Sequence, residues 1–192
     1  MKVVAFNGSA RRDGNTAILM NLALEELKKE GIETEMIQLA GERLAGCNSC
    51  YQCWEKKDKQ CALETDPINE YIEKMRKAEG ILLGSPTYVA DITANMKALL
   101  ERSTFVSRAN GGYLFKGKVG AAIVAVRRAG AIHAFSSLNY FFLIGGMFVV
   151  GSSYWNIGIG RHVGEVNNDT EGLQTMKDLG RNMAWLLKKI HG

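Results

Sequence analysis

Near the N-terminus an apolar run ends in Asn7-Gly8-Ser9-Ala10-Arg11-Arg12-Asp13-Gly14-Asn15-Thr16, and an amphipathic run follows at once. Glycines let a backbone approach a ligand closely. Ser9, Asn15 and Thr16 add short polar side chains, and Arg11 and Arg12 add positive charge. If the helix starts at the end of this loop, its first amides have no intrahelical partner and its dipole favours an anion. The stretch lacks GxxxxGK[ST], so it is not a nucleoside triphosphate loop, and it lacks GxGxxG, so it is not a dinucleotide fingerprint. What remains is a monophosphate held by hydroxyls and backbone amides.

A second stretch with chemical spacing is Cys47-Asn48-Ser49-Cys50-Tyr51-Gln52-Cys53, followed by Cys61. Zinc sites usually use two separated CxxC knuckles. Overlapping CxxC turns instead wrap one corner of a cube, as the ligands of a [4Fe–4S] cluster do, and Cys61 would close the set. Zinc and free or disulfide-forming thiols remain the other readings. The run Lys56-Lys57-Asp58-Lys59 reads as a solvated loop face beside the cysteines, or a dock for an acidic electron donor. His133, His162 and His191 stand at no ligand or nucleophile spacing and read as structural or exposed.

The elements around these stretches alternate. Strands are expected at Lys2 to Phe6, Thr34 to Leu39, Gly80 to Gly84, Val119 to Val126 and Met147 to Gly151. Helices are expected from Ala17 to Glu30, from Asp66-Pro67 onward, and at Thr93 to Val106, Ala131 to Ile144 and Thr170 to Ile190. Ala40 to Asp66 is irregular and holds all four cysteines. The alternation predicts an α/β fold: a three-layer sandwich around a five-stranded parallel sheet of order 2-1-3-4-5, with right-handed crossovers. Ligands of such a sheet bind beyond the carboxyl ends of the strands, where strand order reverses. The exits of strands one, three and four are therefore the walls to watch. Strand three empties into Ser85-Pro86-Thr87-Tyr88-Val89, and strand four into Arg127-Arg128-Ala129-Gly130. Phe135, Leu138, Tyr140, Phe141, Phe142 and Leu143 make the fifth helix apolar nearly all round, which predicts burial on more than one side and favours a subunit interface there.

Composition closes other classes. The length of 192 residues suits one domain, residues 1–192, with 40–66 as an insertion loop. The net charge of +4 is spread without a basic stripe interleaved with aromatics, which argues against nucleic acid. The opening apolar run is too short for a signal peptide, and no apolar run is long enough to span a bilayer. The expectation is a cytoplasmic protein with no membrane partner, where cysteines serve metal or redox chemistry before structural disulfides.

The loop Gly8-Ser9-Ala10-Arg11-Arg12-Asp13-Gly14-Asn15-Thr16 resembles the phosphate loop of the flavodoxin-like NAD(P)H-dependent FMN reductase family, which carries Gly-Ser-x-Arg-x-x-Gly-Asn-Thr there. Ser85-Pro86-Thr87-Tyr88 resembles that family's second FMN loop, Ser-Pro-x-Tyr. The compact cysteine motif resembles the iron–sulfur flavoprotein branch, although the gap before Cys61 is longer than in the best-matching members. The resemblance implies FMN bound by Ser9, Arg11, Arg12, Gly14, Asn15, Thr16, Ser85, Pro86, Thr87, Tyr88, Val89, Arg127, Arg128, Ala129 and Gly130. It implies a [4Fe–4S] cluster on Cys47, Cys50, Cys53 and Cys61. The double arginine departs from the Gly-rich family pattern at that place. The flavin would carry the chemistry, with no catalytic side chain. Electrons would come from NAD(P)H or a ferredoxin-type donor and go to a small acceptor, in a homodimer or homotetramer. A flavodoxin-like carrier without its own substrate, and a thiol or metal redox sensor, are the competing functions.

Overall fold

A computed structural model, which describes residues 1–111 and 114–192, turns this alternation into a fully parallel sheet. In chain order its elements are β1 (Lys2–Asn7), α1 (Asn15–Lys29), β2 (Glu33–Gln38), α2 (Gln52–Lys56), α3 (Ile68–Lys77), β3 (Gly80–Pro86) and α4 (Ala94–Ala109). They continue with β4 (Val119–Val126), α5 (Ala131–Ile144), β5 (Phe148–Val149), β6 (Ile157–Ile159) and α6 (Thr170–His191). The strand order is β2-β1-β3-β4-β5, as the alternation predicts, so the reversal falls between β1 and β3.

Burial follows the two-residue period of the strands. Val4, Phe6, Ile81, Leu83, Ala122 and Val124 face α3, α4 and α5 in one core. Val3, Ala5, Leu82, Ala121 and Ile123 face α1 and α6 in the other. The central strands are buried on both faces, which is why they read as unbroken apolar runs. Gly84, at the end of β3, has no room for a side chain: a Cβ there would lie 2.1 Å from Met20 Sδ. That close approach brings α1 down onto the strand ends where the first loop opens.

The outer edge differs from the expected single fifth strand. β5 pairs only with Val119 and Gly120, and β6, which sequence reasoning missed, pairs with Val124 to Val126. Between them the chain leaves the sheet, and the buried Asn156 side chain donates to Ala122 O at 3.0 Å in place of a ladder bond. Within the single chain, α5 is enclosed on one face. It buries Ala134, Leu138, Phe141 and Phe142 against the sheet but leaves Ile132, Tyr140, Leu143 and Ile144 exposed. No helix of the described residues is long and apolar enough to cross a membrane.

Candidate functional site

β1, β3 and β4 run side by side, so their exits open at the same edge of the sheet. The first loop is fixed by its own side chains. Asn7 Oδ1 accepts from Ser9 N at 3.0 Å, Asn7 Nδ2 donates to Gln38 Oε1, and Gln38 Nε2 donates to Ser9 O, both at 2.6 Å. Ser9 Oγ accepts from Arg11 N at 3.1 Å. Thr93 caps α4 by accepting from Met96 N, and its hydroxyl donates to Gly8 O at 2.8 Å, which ties the first and third exits together.

α1 itself has no side-chain cap, whereas α4 and α6 are capped by Thr93 and Asp169. Its first-turn amides therefore remain available to a ligand at the loop. The surrounding cleft, of about 160 Å³, is lined by Ser9, Arg11, Gly14, Asn15 and Thr16, by Pro86, Thr87 and Tyr88, and by Arg127. The three exits do meet. Thr87 Oγ1 is buried there and has no hydrogen-bond partner among the described residues, a costly arrangement for a hydroxyl unless something else accepts or donates to it.

The remaining residues marked out by sequence fall outside this cleft. The hydroxyl of buried Ser85 is spent inside the protein: it donates to Pro86 O and accepts from Thr93 N. Arg12 is exposed and reaches Ala40 O at 3.4 Å. Val89 sits at the tip of a tight turn, where Tyr88 and Asp91 exchange backbone bonds, and is fully exposed with φ +49°. Arg128, Ala129 and Gly130 line a neighbouring cleft of about 430 Å³ together with His133, Tyr154 and Trp155.

Sequence reasoning missed the fourth wall. Gly160 and Arg161, just after β6, also line the first cleft. Asn15 holds them in place rather than pointing free: its Nδ2 donates to His162 O and its Oδ1 accepts from Gly164 N, both at 2.9 Å. Glu165 completes the turn by accepting from His162 N and Arg161 N, and those bonds keep its carboxyl below the usual range. Arg11, Arg127 and Arg161 thus surround the cleft, and none forms an ion pair among the described residues. A hydroxyl without a partner, uncapped amides and three cations fit the phosphate end of FMN.

The cysteines lie in the long connection between β2 and α3. Cys47, Cys50, Cys53 and Cys61 all line one small cavity, closed by Arg102, Phe105 and Val106. All four are free thiols. Burial pushes the Cys53 thiol up, and Cys61 beside it adds to the effect. The cavity is about 10 Å³, and no three His, Cys, Asp or Glu side chains among the described residues stand at metal-site geometry. The donor set nonetheless fits a four-cysteine cluster, since four thiols share one cavity.

Two residues that sequence reasoning did not mark hold this loop. Asn69 pairs with the backbone of Cys61, accepting from its N at 2.7 Å and donating to its O at 2.9 Å. Arg102, almost wholly buried, pairs with Asp66 at 2.5 Å and donates to Leu63 O, Ala45 O and Cys61 Sγ. Burial in the middle of a helix is what identifies Arg102, and the sequence carries no signal of it.

Known proteins fit this geometry. The family model of NADPH-dependent FMN reductases matches residues 1–162. An iron–sulfur flavoprotein of Methanocaldococcus jannaschii is 38% identical over 197 residues, covering 99% of both chains. One from Methanosarcina thermophila is 33% identical over 192 residues, covering 99% of this chain and 97% of its own. Among solved structures, an archaeal flavodoxin superposes with a TM-score of 0.64 at 18% identity, covering 98% of this chain and 99% of that one.

Proposed function

We propose a function from one premise: the chain belongs to the NADPH-dependent FMN reductase family. On that footing it is a flavin oxidoreductase that holds FMN non-covalently and passes electrons between a reduced donor and a small acceptor. The observation that carries the reading is the buried, unpartnered Thr87 hydroxyl in a cleft ringed by Arg11, Arg127 and Arg161.

The first-turn amides of α1, with Ser9 and Thr16, take the phosphate oxygens. Arg11, Arg127 and Arg161 balance its charge, and Asn15 keeps the Arg161 segment in position. Thr87 and Tyr88 meet the rest of the ligand with one hydroxyl and one aromatic face. FMN, when bound, supplies a group that accepts a hydride or single electrons and returns them singly or in pairs. A [4Fe–4S] cluster on Cys47, Cys50, Cys53 and Cys61 supplies one-electron exchange with the outside. Arg102 and Asn69 hold Cys61 in that set, and Phe105 lines the same cavity. The donor is NAD(P)H or a reduced ferredoxin-type protein. Residues 1–192 form one domain that works in the cytoplasm, assembled as a homodimer or homotetramer through the exposed apolar face of α5.

Anaerobic purification with flavin and iron quantitation tests the cofactors. About one FMN and four iron atoms per chain are expected. Bleaching of the flavin band by NADPH alone identifies a reductase. Bleaching only after reduced ferredoxin is added identifies the ferredoxin-dependent form, and a colourless protein refutes the proposal.

A further inference from the structure

Arg102 is the bulkiest fully buried side chain among the described residues, and it is a cation. Three of its bonds fix it to both ends of the cysteine loop: to Ala45 O before the first cysteine, and to Leu63 O and Asp66 after the last. With those nitrogens committed, its Nε–H has one place to go, and it lies 3.2 Å from Cys61 Sγ. Asn69 grips the Cys61 backbone from the other side. Of the four thiols that line the cavity, Cys61 is the one that accepts a hydrogen bond from a cation among the described residues, and Arg102 is the arginine in the lining.

We propose that Arg102 is a positioning residue that sets the reduction potential of a [4Fe–4S] cluster held by Cys47, Cys50, Cys53 and Cys61, through its hydrogen bond to Cys61 Sγ. This rests on the iron–sulfur reading given above. In the step concerned the cluster takes one electron from the reductant and its charge falls from 2+ to 1+. No covalent bond changes and no proton leaves Arg102. The reduced cluster puts more negative charge on its sulfurs, so a fixed N–H donor stabilises it more than the oxidised form. The bond therefore raises the potential. The Asp66 carboxylate, salt-bridged to the same guanidinium, offsets part of its charge and works in the opposite direction.

Two opposite signs follow, and a merely structural role for Arg102 predicts neither. Holoprotein is titrated with dithionite under argon and followed by the cluster's paramagnetic signal. Arg102→Met removes the donor and lowers the reduction equilibrium constant about tenfold, about 59 mV for a one-electron couple. Arg102→Gln keeps an amide N–H near the position of Nε and falls between Arg102→Met and the parent. Asp66→Asn leaves the guanidinium uncompensated and raises the potential above the parent. Potentials that stay together, or that move the same way in Arg102→Met and Asp66→Asn, overturn the proposal.

Variants that fail to fold do not end the test, because the parent chain has its own readout. Labelled with nitrogen-15 arginine and reduced, it should give a guanidinium nitrogen coupling in pulsed electron–nuclear spectra. Absence of that coupling overturns the proposal. Iron-free parent protein removes the cluster reading itself, and this inference with it, whereas an iron-loaded protein with unmoved potentials removes the inference alone.

Discussion

In the cleft at the sheet edge, three parallel strands deliver Ser9, Thr87 and Arg127 to one place, and the sheet ladder fixes their spacing. In the cysteine loop one five-residue helix is the only regular element, and four non-glycine residues, Ser49, Tyr51, Lys57 and Lys59, have positive φ. There the spacing is fixed by side chains, with Arg102 and Asn69 standing where strands would be. A scaffold built on backbone spreads its stability over many bonds. One built on a single buried ion pair concentrates it in that pair. The two regions should therefore respond differently to loss of one side chain.

The largest effect is expected in the cysteine loop. Arg102→Ala strands Asp66 as a buried, unpaired carboxylate, since both side chains of the pair are almost wholly buried. Removing one partner of such a pair costs about 3–5 kcal/mol, a large share of a domain's stability. Hydrogen exchange of the loop amides should lose protection on that scale, and a loss under about 1 kcal/mol there would mean that the loop is held by something else.

The matching change in the cleft is Gly160→Ala. Its Cβ would lie 2.6 Å from Val166 N, a backbone atom that cannot swing aside. The Arg161 segment must shift, at a cost of about 1–3 kcal/mol. FMN affinity should fall with stability, because the same segment carries a lining arginine. Unchanged FMN affinity measured by fluorescence quenching would place Arg161 outside the site.

Much of the cleft could be read in the sequence, and little of the loop's support could. Strand exits follow from apolar runs, and runs such as Val119–Val126 state their own boundaries. The fold's reversal point then brings distant loops together without any further signal. Gly160 and Arg161 escaped because β6 has only three residues, too few for a period to show. Ser85 and Asn15 were legible as polar residues in the right loops, but which partner each hydroxyl or amide takes depends on distances that sequence does not carry. Arg102 and Asn69 lie 41 and 8 residues from Cys61, and nothing in their own neighbourhoods marks them as supports for it.

Thr87→Val separates holding a ligand from holding the fold. The hydroxyl has no partner among the described residues, so its loss should leave the stability of the ligand-free chain unchanged or slightly raised. If the hydroxyl bonds FMN, affinity should fall about fivefold, the equivalent of about 1 kcal/mol. An equal loss of stability without FMN would show that the hydroxyl has a partner within the chain and is not reserved for a ligand.

The smallest effect compares backbone strain in the two regions. Val89 has φ +49°, in the left-handed region that a β-branched residue adopts only at a cost, and its side chain is fully exposed and packs on nothing. Relief of about 1–3 kcal/mol of strain is partly offset by about 0.5–1 kcal/mol of extra chain entropy for glycine. Val89→Gly should therefore stabilise by about 1 kcal/mol, about 2–4 °C in melting midpoint for a domain of this size. Lys57, with φ +51° at the end of α2, invites the same change. There the gain should hardly move the global midpoint, because a loop with so little regular structure opens before the sheet does. It should appear instead as slower hydrogen exchange of loop amides such as Trp54 N and Lys57 N, which bond to Tyr51 O and Cys53 O. Equal shifts in the two melting curves would mean that the cysteine loop unfolds together with the strand-built cleft, and that one cooperative unit holds both.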